Sequence, residues 1–229
     1  MHTGNVAVES SHGLVSTIAA SVPGSSRLEY ALEGSVFVAG ALIQWLRDEL
    51  GIIKSAQESE ALALTVEDSA GVYIVPAFTG LGAPYWDADA RGAIYGLTRG
   101  ATRAHVVRAA LESLAYQVAD VARTMEQDSG MRIDELNVDG GASGNNLLMQ
   151  IQADILGAQL NRPAVIESTG LGAAFLAGLN TGFWEDLDEI RSIRAHDDHF
   201  LPRMDSLARK QCMAGWHDAV RRTLSASDE

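Results

Sequence analysis

The stretch DGGASGNN, residues 139–146, sets two glycines directly behind an aspartate and a pair of asparagines shortly after, at a change of hydrophobic period. Before it, RIDELNV (132–138) carries Ile133, Leu136 and Val138 between turn residues, as a short strand does. After it, Leu147, Leu148, Ile151, Ile155 and Leu156 recur at helical spacing. Glycine on a strand-to-helix turn allows a positive φ and lets the backbone come close to another molecule. The helix that follows offers unpaired N–H groups and a positive dipole end, a setting that favours an anion such as phosphate. The same residues also make an ordinary tight turn with Asn145 as helix cap.

Other constellations carry weaker chemistry. The loop Trp86-Asp87-Ala88-Asp89-Ala90-Arg91 has acidic residues at calcium-loop spacing but lacks the later glycine and bidentate glutamate. Pairing of Arg91 with Asp87 or Asp89 to hold the loop is the expectation there. HDDH, 196–199, places two histidines beside two acids, but no third ligand cluster accompanies them, and a solvated surface is expected rather than zinc. No metal site is assigned. Tyr85 and Trp86 suit either a small substrate or packing. The single cysteine, Cys212, excludes an internal disulfide, fits a reducing compartment and reads as a small apolar residue of the last helix.

The chain has 229 residues, enough for a sizeable core as one domain with a C-terminal extension. A net charge of −13 argues against nucleic acid or anionic membrane as partner, although backbone N–H groups can still hold a nucleotide's phosphates. No apolar run approaches membrane-spanning length, and MHTGNVAVESSHG has neither the basic nor the apolar part of a signal peptide, so a cytoplasmic location is expected.

Several elements must position these residues. LVSTIAA (14–20) and RLEYALEG (27–34) read as a hairpin around Pro23-Gly24-Ser25-Ser26. Ser35 is expected to cap a helix over 36–50 with a stripe of Val36, Ala39, Ile43, Leu46 and Leu50, and a weak helix follows near 59–67. VYIVPAF (72–78) reads as a buried strand leading into TGLGAPYWDADARG. The strongest helical signal spans 102–125 through Val106, Ala109, Ala110, Ser113, Leu114, Val118 and Val121. A strand region GAQLNRPAVI follows the glycine turn and its helix. A helix over 167–179 is then expected to pack closely through Gly172 and Gly178, and an acidic, then helical tail ends in a frayed SASDE.

The segments YALEGSVFVAGALIQWLRDEL, VPAFTGLGAPYWDADARGAIYGLTRG, RAALESLAYQVADV and DGGASGNNLLMQIQADILG resemble the C-terminal half of the glycerol kinases, carbohydrate kinases of the actin and hexokinase type of ATPase fold. The resemblance runs from about Gly4 to Trp216. It implies an α/β fold: an actin-like, ribonuclease H-like domain with a mixed sheet flanked by helices, plus a C-terminal helical extension. Residues 1–184 would form the nucleotide-binding domain, and 185–229 an acidic segment and helix packed on it.

The resemblance also implies an ATP or ADP site. Gly40 and Gln44 match two nucleotide-contacting positions and, four apart, share a helix face. Gly40 would let the terminal phosphates approach the backbone, and Gln44 would offer its amide. As bare residues they read as a close-packing glycine and a surface glutamine. Gly141 and Asn145 match positions that face the ribose, α-phosphate and adenine.

What the resemblance leaves out of this chain matters as much. The family's base aspartate in a Gly-Asp-Gln motif, its substrate-binding Arg-Glu pair and its first phosphate turn have no match here, so no catalytic residue is assigned. Magnesium is expected only in the complete enzyme. Met1 falls just after the phosphate turn, so the first strand is expected to be truncated, with residues 1–8 or another chain covering the gap. Two readings stand: the nucleotide-binding part of an ATP-dependent glycerol kinase, inactive alone and partnered by an N-terminal half or by copies of itself, or a non-catalytic nucleotide-binding or interaction module derived from one.

Overall fold

The computed structural model describes residues 1–20, 27–193 and 197–225. The turn at 23–26, His196 and the tail beyond Ser225 lie outside the described residues. Strands β1 (His2–Gly4), β2 (Val15–Ile18) and β3 (Tyr30–Glu33) form an antiparallel sheet in the order β1-β3-β2. The expected hairpin is present, with Val15 opposite Glu33 and Ile18 opposite Tyr30. Residues 1–4 extend it on the β3 side, where the Met1 amine donates to the Leu32 carbonyl at 2.6 Å. The outer edges of β2 and of β6 (Glu135–Asn137) have no strand partner among the described residues. Along β2, Val15 and Ile18 are exposed.

Helix α1 spans Gly40–Asp48, starting four residues later than expected. Ser35 caps nothing, because residues 35–39 lie against the loop after β4 (Tyr73–Val75): a Cβ on Gly82 would meet the Phe37 ring at 2.9 Å and the Ser35 carbonyl at 3.0 Å. That contact overrides helical propensity, and the buried stripe of α1 becomes Leu42, Ile43 and Leu46, with Leu50 exposed. Helix α2 is Ala56–Ala63, earlier than expected, because Ser55 accepts from the Glu58 N–H at 3.2 Å as N-cap.

Strand β4 pairs antiparallel with β5 (Ala93–Tyr95). Helix α3, Arg103–Ser129, begins in a capping box between Thr102 and His105 and stops at Gly130 in the left-handed region. It is buried on almost every face, and its alanines let α2, α4 and β4 come close. Strand β6, helix α4 (Asn146–Leu156) and strand β7 (Gln159–Arg162) form a right-sized parallel crossover, and β8 (Asp198–Phe200) adds antiparallel to β7, giving the mixed sheet.

Helix α5 (Ser168–Thr181) buries only Gly178, on which the Trp184 ring lies; Gly172 meets nothing, so the expected close packing holds at one glycine of two. After α6 (Leu187–Ile193), helix α7 (Ser206–Thr223) returns to the core. Its Trp216 is fully buried and stacks on Tyr116, 5.4 Å between centroids. Met213, Trp216 and Val220 together contribute roughly 1.5–3 kcal/mol each by burial, enough to hold α7 against β4, α3 and α4. Among the described residues no helix is long and apolar enough to cross a membrane.

Candidate functional site

Gly40 opens α1 instead of sitting inside it. The residue before it, Ala39, has no capping side chain, and no acid lies in the first turn. The Leu42 N–H donates to the Ala39 carbonyl at 3.0 Å, and among the described residues no side chain caps the N–H groups of Gly40 and Ala41 at the helix's positive end. A Cβ on Gly40 would meet nothing within 4 Å, so close packing does not explain the glycine. Gln44 is exposed one turn on, along the same face.

The turn after β6 is built from the backbone outward. Gly140, not Gly141, takes the positive φ, at +77°, and its N–H donates to the Ile166 carbonyl at 2.7 Å. Gly141–Gly144 then form a single 3-10 turn, with the Ser143 hydroxyl donating to the Gly140 carbonyl at 2.7 Å. From β7, Arg162 donates to the Ser143 carbonyl at 2.7 Å while pairing with Asp198 at 2.6 Å and lying over the Phe200 ring. The turn is thus held by side chains of the strand beside it. Gly141 and Gly144 are exposed, have no left-handed φ, and would accept a Cβ into open space.

Asn145 is the N-cap of α4: its Oδ1 accepts from the Leu148 N–H at 2.8 Å, while its Nδ2 reaches the Ser59 hydroxyl of α2 at 3.4 Å. The Leu147 N–H donates to Glu60 Oε1, again from α2, at 3.1 Å. Two first-turn N–H groups of α4 are therefore taken from within the chain. The start of α1, by contrast, has no side-chain cap. Because α2 packs against both α1 and α4, one helix connects the two pairs Gly40/Gln44 and Gly141/Asn145.

Sequence reasoning missed Ser59, Glu60 and Arg162. Ser59 and Glu60 act across 86 and 87 residues of chain, and no local spacing reveals such a bond.

The weaker candidates resolve into structure. Asp87 accepts from the N–H groups of Asp89 and Ala90 and from Ser225, while Arg91 donates to the carbonyls of Ala88 and Ala90 instead of pairing with either aspartate. Tyr85 packs inward, its hydroxyl donating to Asp120 at 2.7 Å; burial and the charge of Asp120 push its phenol well above the usual range, so it stays a neutral donor. Trp86 remains exposed in a left-handed backbone conformation, edge-on to Phe37. On β8, Asp198 pairs with Arg162, and exposed His199 meets the Asn161 side chain. Burial pushes the thiol of Cys212 up, as for an inert packed residue.

Residues 1–181 match the C-terminal domain of the FGGY family of carbohydrate kinases. All 229 residues align with a glycerol kinase of Clostridium botulinum strain 657 at 55% identity and with one of Thermoanaerobacter pseudethanolicus at 56%, covering 46% of each. A crystal structure of Plasmodium falciparum glycerol kinase with ADP superposes with a TM-score of 0.91 over 99% of this chain and 45% of that one, at 38% identity. The chain thus spans about half the length of the relatives it matches. A gluconate kinase from Lactobacillus acidophilus, 24% identical with a TM-score of 0.72 over 87% of this chain and 41% of that one, shares the fold.

Proposed function

We propose, from the premise that this chain belongs to the FGGY family of carbohydrate kinases, that it forms the adenine-nucleotide wall of an ATP-dependent glycerol kinase. Residues 1–184 act as the nucleotide-binding domain and 185–229 pack on it. The observation that carries this reading is a set of glycines that neither packing nor backbone conformation requires. Gly40, Gly141 and Gly144 all have ordinary φ and open space where a side chain would stand. A ligand that must come close to the backbone supplies the missing reason. Gly170 and Gly172 share the property, but they lie on α5, where Gly172 lines a separate groove with Leu171, Phe175, Ser168 and Arg191.

In this reading the terminal phosphates lie over the free N–H groups at Gly40, and Gln44 one turn on offers its amide to the nucleotide. The ribose, α-phosphate and adenine lie against Gly141 and Asn145, at a helix start held by Glu60. The ADP of the Plasmodium relative supports an adenine nucleotide as the occupant. This chain's residues bind and orient; the base that takes the proton from a glycerol hydroxyl, and the magnesium that offsets phosphate charge, belong with the remainder of the enzyme.

A coupled assay of ATP-dependent glycerol 3-phosphate formation tests this. The chain alone is expected to show no turnover, and the chain mixed with a folded N-terminal half of the Clostridium relative is expected to show it. Turnover by the chain alone, after host kinase is removed, would place the catalytic groups here and overturn the assignment. Demonstrated association without turnover would favour a non-catalytic nucleotide-binding module.

A further inference from the structure

We propose that Glu60, with Ser59 beside it, is a positioning residue of the nucleotide site, a role no motif assigns to α2; the inference rests on the nucleotide reading above. Glu60 stands in the middle of α2 and sends its carboxylate out to another helix, where Oε1 accepts the Leu147 N–H at 3.1 Å. Ser59 is 1% exposed and donates to the Ala56 carbonyl, which leaves its oxygen to face the Asn145 amide at 3.4 Å.

Consecutive residues of α2 thus reach the N-cap Asn145 and, two residues on, the first-turn N–H of Leu147. Asn145 must hold its Oδ1 on the Leu148 N–H to end the 3-10 turn and begin α4, and its Nδ2 then points at Ser59. A carboxylate on a helix's first turn is favoured by the dipole and by a charge-assisted bond. It therefore fixes the start of α4 relative to α2, and α2 packs on α1. With Arg162 holding Ser143 from the far side, the glycine turn is pinned at both ends while its exposed face carries no side chain at Gly141 or Gly144. Loss of Glu60 frees the start of α4 and lets the turn drift against Gly40 and Gln44, so a nucleotide touching both pairs meets a site that must first be ordered.

The test is ADP affinity by calorimetry on the whole chain, with thermal melting of each variant alongside. Glu60→Ala is expected to weaken ADP about tenfold. Glu60→Gln keeps an oxygen acceptor and is expected to recover most of that loss, to within about threefold of the parent. Ser59→Ala, a smaller change in the same contact, is expected to cost about threefold and serves if Glu60→Ala does not fold. A purely structural role would move the melting temperature and leave the affinity of the folded protein alone; that result overturns the inference. Equal losses in Glu60→Ala and Glu60→Gln would still support the role and assign it to the carboxylate's charge at the helix start rather than to the bond alone. Gly141→Val, measured in parallel, separates the two levels. If it too leaves ADP affinity unchanged, the nucleotide reading fails; if it weakens ADP while the Glu60 and Ser59 variants do not, only the positioning role fails.

Discussion

Replacing Gly40 by alanine separates a binding glycine from a structural one, because the two roles predict opposite signs. The added Cβ meets nothing within 4 Å, and the residue already has a conformation an L side chain adopts. Gly→Ala at a compatible position stabilises by about 0.4–1 kcal/mol, chiefly by narrowing the unfolded ensemble. For a chain of this size that raises the melting temperature by about 1–4 °C. If phosphates must reach the N–H groups at the start of α1, the same methyl stands between them and the backbone. A loss of about 1.4 kcal/mol, or tenfold in affinity for ADP, is expected. The assay is a thermal melt without nucleotide and a calorimetric titration with ADP on the same preparation. Raised stability with unchanged affinity would refute the reasoning, since the glycine would then have no role toward a ligand. Lowered stability would refute the geometry on which it rests.

Two further predictions concern the frame. Buried Asp128, its side chain 2% exposed, accepts from Ser10, His12 and Ser11; burial pushes its carboxyl up, but these bonds outweigh burial and hold it down at about 2. Since its folded value is depressed, its contribution to stability is present above the ordinary carboxylate value and is lost as pH falls through about 2. Asp128→Asn should flatten the acid limb of melting temperature against pH between about 4 and 2; an unchanged limb would contradict it. Asp120, buried in α3, accepts from Tyr85, from the Trp216 indole at 2.6 Å and from His217 at 2.9 Å. Asp120→Leu strands two buried donors and should cost about 2–5 kcal/mol in urea unfolding, whereas Trp216→Phe, which removes one donor with its ring partly kept, should cost less. Equal costs would show that packing, not the bonds, dominates there.

The periodic parts of the fold were legible because each reports its own local pattern. The 27-residue α3 could be read from alanine and valine spacing, and the β2–β3 hairpin from two apolar runs around a turn. The start of α1 was misread because the decision lies with Phe37 and Ser35 against Gly82, a contact between segments that no window spans. Strand β8 was not foreseen, since its three residues, Asp198, His199 and Phe200, read as polar loop until β7 lies beside them. At the site, the glycines were visible as glycines, and the family resemblance singled out Gly40, Gln44, Gly141 and Asn145. Their environment was not visible: that Gly40 opens its helix, that Gly140 takes the positive φ, and that Glu60 occupies the start of α4 all depend on long-range placement.

The central claim is that adenine nucleotide lies across the starts of α1 and α4. Titrating the isotope-labelled chain with ADP and following backbone amide resonances tests it directly. The account predicts saturable shifts concentrated at Gly40, Gln44, Gly141 and Asn145, with the largest phosphate-dependent changes, ADP against adenosine, at Gly40. Shifts confined to the apolar groove around Leu171 and Phe175, or no saturable shift at either glycine turn, would contradict it.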